Sequence, residues 1–107
     1  VNETASEPIN SEIFLMDLTT GKSLRVSRNP AFDFEPTLHP SGKLVAYVTD
    51  RFQNGIHGDL QIMVKDLAAG KEERLDIGHK MWAHYPKFSN DGKYLYFSLA
   101  KALDLPY

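Results

Sequence analysis

Apolar residues in this chain come in short bursts of five to eight positions, each closed by Gly, Pro, Asn or Asp. No segment sustains a 3.6-residue period, so the pattern predicts an all-β chain. It places strands at 12–18 (EIFLMDL), 23–27, 35–39, 43–49, 60–67, 72–77, 85–89 and 93–99. Tight turns fall at Thr19–Lys22, His39–Gly42, Ala68–Lys71 and Ser89–Gly92, and longer loops at 27–34, 50–59 and 77–84. Two bursts, LVAYV and YLYFSL, hardly alternate, which marks strands buried on both faces. Residues 1–11 lack periodicity and are expected to be a flexible arm. The tail 100–107 holds a stretch, Ala100 to Leu105, that could form a helical turn before Pro106.

The pattern also repeats. Residues 13–26 lie over 62–75 with six identities in 14 positions, among them Asp17/Asp66, Gly21/Gly70 and Lys22/Lys71. Residues 36–48 lie over 86–98, with Pro36/Pro86, Gly42/Gly92 and Lys43/Lys93 identical. A period near 50 built from short strands means blades, solenoids or arrays. Gly21, Gly42, Gly70, Asp91 and Gly92 are expected to be structural turn residues, and Pro36 and Pro86 to open their strands, where a missing N–H is harmless.

PTLHPSGKLVAYV and PKFSNDGKYLYFS resemble the TolB-type β-propeller repeat, whose core runs Pro-x-aromatic-Ser-Pro-Asp-Gly-Lys before an apolar pair. Thr49-Asp50-Arg51 and IMVKDLAAGK resemble further parts of that repeat, but Ser41 and Asn90 depart from it. The resemblance implies four-stranded antiparallel blades, about two blade equivalents over 12–99 in the phase C–D, A–B–C–D, A–B. It also implies a periplasmic or otherwise exported location. In that phase the long loops share one end of the scaffold, where binding residues usually sit. That end carries the partner-binding candidates Phe32, Phe34, Arg51, Phe52, His57, His79, Trp82 and His84. Trp82 has a second reading, as a plug between blades.

Composition narrows the function. The 107 residues are 42% hydrophobic, enough for one modest globular unit. The net charge of −2, with Lys and Arg spread among acids, gives no nucleic-acid footprint. No apolar run approaches a membrane span. With no cysteine there is neither disulfide, thiolate metal site, Cys nucleophile nor haem-attachment motif. Gly-x-Ser-x-Gly and phosphate-binding Gly-rich loops do not occur. The four histidines and the Asp50, Asn54, Asp59 set lack a recognised metal spacing, so no metal or cofactor is expected. Asn2-Glu3-Thr4 matches the glycosylation triplet, a pattern frequent by chance.

The expected function is a non-catalytic protein-interaction or scaffolding module within a TolB-like propeller. The alternatives are an accessory propeller segment of a prolyl-oligopeptidase-like hydrolase, or of a propeller cofactor enzyme. The partner is another protein or the remaining blades. With about two blades where a ring needs about four to eight, the chain is not expected to be a stable isolated monomer.

Overall fold

The computed structural model describes residues 11–52 and 59–101. Eight antiparallel strands form three sheets: β1 (Phe14–Met16) with β2 (Ser23–Arg25); β3 (Asp33–Leu38), β4 (Leu44–Thr49), β5 (Gln61–Asp66) and β6 (Glu72–Arg74) in that order; and β7 (Met81–Phe88) with β8 (Leu95–Lys101). This is the C–D, A–B–C–D, A–B phase of propeller blades, and no helix occurs among the described residues. The expected arm (save Ser11), the glycosylation triplet, His57, Asn54 and residues 102–107 lie outside the described residues. Ala100 and Lys101 belong to β8 rather than to a helical turn.

The sheets stack face to face, and β4 explains the arrangement. Its run LVAYVT is buried almost throughout, because alternate residues serve two cores. Val45 and Tyr47 join Ile13, Val26 and Met63 against the first sheet. Ala46 and Val48 join Ile62 and Ala83 against the third. Alternation is lost from the sequence because both faces of the sheet are covered.

Turn chemistry fixes the hairpins. Asp17 Oδ1 accepts the Thr19 and Thr20 N–H groups, and Asp66 Oδ1 accepts those of Ala68 and Ala69. The repeated Asp is therefore an Asx cap on the C–D turn. Gly92 sits at φ 77° in the last A–B turn, and an added Cβ would lie 2.6 Å from the His39 ring. That ring joins the A–B turns of two blades. Its Nδ1 accepts the Ser41 N–H at 3.0 Å, so Nε2 carries the proton donated to the Gly92 carbonyl at 2.9 Å.

Strands β3 and β7 start earlier than the apolar pattern suggests, at Asp33 and Met81. Pro36 and Pro86 consequently lie inside their strands rather than opening them. Each falls in a bulge, where the register shifts between Phe34 and Thr37 and between His84 and Lys87. The residues before them, Glu35 and Tyr85, take positive φ of 53° and 56°. A bulge removes the ladder hydrogen bond that proline cannot donate, which is why the strand runs through it.

Candidate functional site

The early start of the inner strands extends the repeat upstream. Phe32, just ahead of β3, and Asp33-Phe34-Glu35-Pro36 within it occupy the places of Trp82-Ala83-His84-Tyr85-Pro86 in β7, since Phe34 pairs Val48 and His84 pairs Ser98 fifty residues on. An aromatic ring thus stands at both equivalent positions of both repeats. Parallel bridges hold the strand entries: Ser11 to Phe32, and Leu60 to Trp82. Asp50 adds its carboxylate to the Phe32 N–H at 2.8 Å. The rims of successive blades are therefore fixed by backbone.

The rings form a connected row. Phe32 meets Phe34 edge-on at 6.0 Å, Phe34 meets His84 at 6.3 Å, and His84 meets Trp82 at 6.3 Å and Tyr85 at 5.3 Å. Phe34 is the anchor, half-buried against the core shared by β4 and β7. Phe32, Trp82 and Tyr85 are exposed, Tyr85 to 70%. A hollow of about 320 Å³ opens against Phe32 and Phe34. Glu35 ties the row across the blade boundary. Its carboxylate accepts the Tyr85 N–H at 2.5 Å and lies 3.1 Å from His84 Nδ1. Trp82 is 45% exposed among the described residues.

The other candidates separate from this row. Arg51 turns inward. Its guanidinium lies 3.6 Å from Asp33 and 3.5 Å from Glu72, and donates to the Tyr47 hydroxyl at 3.2 Å. Tyr47 in turn donates to Glu72. Burial first, and then the Asp33 charge, push the Glu72 carboxyl above its ordinary 4.5. Asp33 Oδ1 has no hydrogen-bond partner among the described residues, so Arg51 is its compensation. Phe52 packs beneath Arg51 and Arg74, whose guanidinium carbons stand 6.0 and 5.6 Å from its ring. These two residues brace the blade. His79 is exposed and outside the row. The loops expected at 27–34 and 77–84 are shorter than that, because Asp33, Phe34, Trp82 and His84 are strand residues.

Glu35, Tyr85 and Asp33 escaped the sequence reading. The aromatic-x-aromatic-x-Pro repeat could have found the first two. Among the described residues no three His, Asp or Glu side chains converge as metal ligands. Asp59 spends its carboxylate on Gln61 Nε2 and the Met81 N–H. No helix among the described residues is long and apolar enough to cross a membrane.

No protein-family model matches the chain. Dipeptidyl-peptidase 5 of Porphyromonas gingivalis is 29% identical over 94 residues, spanning 86% of this chain and 14% of that protein. The crystal structure of TolB from Acinetobacter baumannii superposes with a TM-score of 0.62 at 23% identity, covering 80% of this chain and 20% of that one. The chain thus spans a small part of either relative's length, and its fold is that of TolB-like propeller blades.

Proposed function

We propose that the chain is a non-catalytic interaction segment of an exported β-propeller, and that it engages a polypeptide through the aromatic row on its inner strands. The observation that carries this reading is the repeated pair of rings, Phe32/Phe34 and Trp82/His84, held at one rim by two adjacent blades. Exposed aromatics on a rigid frame bind with little loss of side-chain entropy. Among the described residues the site holds no nucleophile with an adjacent base. The exported location follows the resemblance to TolB-type repeats.

The remaining blades are the second partner. Among the described residues, β8 pairs only with β7, and β1 only with β2. Phe97 is 36% exposed, where its repeat equivalent Tyr47 is wholly buried. Phe14 is 60% exposed, where its equivalent Met63 is buried. Those faces need further strands.

A photo-reactive phenylalanine at position 32 tests the interaction. It should cross-link to a polypeptide in the native extract, and the same group at Lys22 on the opposite end should not. Equal yields from both ends would overturn the assignment. The likeness to a dipeptidyl-peptidase supports a second reading, in which these blades guard a catalytic domain elsewhere in a longer polypeptide. Release of dipeptides from chromogenic anilides by that polypeptide would favour it.

A further inference from the structure

Within the aromatic row stands one carboxylate, and its surroundings specify more than an apolar contact. We propose that Glu35, with Trp82, His84 and Tyr85 around it, receives the guanidinium of an arginine side chain on the bound polypeptide. This rests on the reading that the row binds polypeptide.

Glu35 uses one oxygen for the Tyr85 N–H and the other for His84 Nδ1. A carboxylate offers about four lone-pair sites, so acceptor capacity is left on both oxygens. The side chain is 25% exposed, so a ligand can reach it. Two exposed rings flank the imidazole that Glu35 touches: Trp82 at 6.3 Å and Tyr85 at 5.3 Å. Guanidinium matches this combination. It is planar, stacks on aromatic faces, is more weakly hydrated than ammonium and forks onto a carboxylate. The Glu35 and Tyr85 backbones are fixed by the two bulges, so the carboxylate and the rings are held before the ligand arrives.

Trp82 is the sole tryptophan in the 107 residues, so its emission reports on this site directly. The full chain would be titrated with an acetylated, amidated Gly/Ser peptide carrying one Arg, and with the same peptide carrying citrulline or Lys. The Arg peptide should give a saturable change and bind at least about tenfold tighter than the citrulline peptide. Glu35→Gln should abolish that preference, and Tyr85→Ala should weaken Arg binding, with circular dichroism unchanged in both. Should Glu35→Gln fail to fold, Tyr85→Ala carries the test. Equal binding of Arg and citrulline, equal binding of Arg and Lys, or Arg preference surviving Glu35→Gln or undiminished by Tyr85→Ala would each overturn the proposal. Loss of all peptide binding while position 32 still cross-links a polypeptide would overturn the arginine assignment and leave the interaction reading standing. Loss of both would remove both.

Discussion

At the scale of single residues, the turns and the buried charges decide most. Gly92 is constrained twice, by its φ of 77° and by the His39 ring 2.6 Å from any Cβ. Gly42 shares the conformation at φ 75° but has open space around it. Gly92→Val should cost roughly 1–3 kcal/mol, and more than Gly42→Val, by urea denaturation. Equal costs would show that the His39 contact is not made. Glu72 gives a pH dependence. Its folded carboxyl titrates above 4.5, so the folded state holds the proton more tightly than the unfolded state. The stability this contributes is fully present below 4.5 and is lost as pH rises through the raised value. The stability of the wild type relative to Glu72→Gln should therefore fall over that window and level off above it. A difference that rises with pH would reverse the sign. Asp91 runs the opposite way. The Ser89 hydroxyl, and then the Lys93 N–H, hold it below its ordinary 3.8 at a fully exposed turn.

At the scale of elements, short hairpins are fixed by their side chains as much as by pairing. Asp17 and Asp66 each accept two turn N–H groups, and Gly21 and Gly70 close the same loops with N–H bonds to the Asp carbonyls. Removing one cap by Asp66→Ala should cost about 1 kcal/mol, with Asp66→Asn close to neutral, in a thermal melt. If the Asn variant were as damaged as the Ala variant, charge rather than hydrogen bonding would be at work. The inner strands show how far local pattern carries. Sequence periodicity starts strand A at Pro36 or just before it, because apolar alternation begins there. The aromatic stretch ahead of each proline is strand as well, since Ser11 and Leu60 lend it backbone partners from an adjacent blade. Those partners, Ser11 for Phe32 and Leu60 for Trp82, lie 21 and 22 residues away in sequence and leave no local signal.

At the scale of the whole molecule, open edges set the behaviour. β8 follows β4 by 50 residues and β1 precedes β5 by 49, so the β4–β5 register carries over. Tyr47 pairs Met63 and Ala46 pairs Val64, which places Phe97 opposite Phe14 and Tyr96 opposite Leu15 in a completed blade. A groove of about 160 Å³ beside β1, lined by Ile13, Leu15, Val26, Leu38 and Val45, is apolar as a blade interior should be. Strand edges of this kind pair or aggregate. Light scattering of the isolated 107 residues should show association, and Phe14→Lys with Tyr96→Lys, both at exposed positions, should reduce it. A monodisperse monomer with one sharp melt would overturn the open-edge argument.

The sequence by itself determined the all-β class, the blade phase and the turn residues, because these rest on local pattern, turn chemistry and a repeat visible along one chain. It also carried four members of the aromatic row, Phe32, Phe34, Trp82 and His84, which are legible as aromatic rings near loops. Only the tertiary structure decided which candidates meet. Arg51 and Phe52 look equivalent to Trp82 in a list of loop residues, yet they fold inward because Asp33, Glu72 and Tyr47 offer the guanidinium partners there. Glu35 enters the site only because a bulge sets its φ positive and brings it against a strand 50 residues on. Contacts between blades depend on how sheets stack, and stacking is a property of three-dimensional packing that no window of sequence contains.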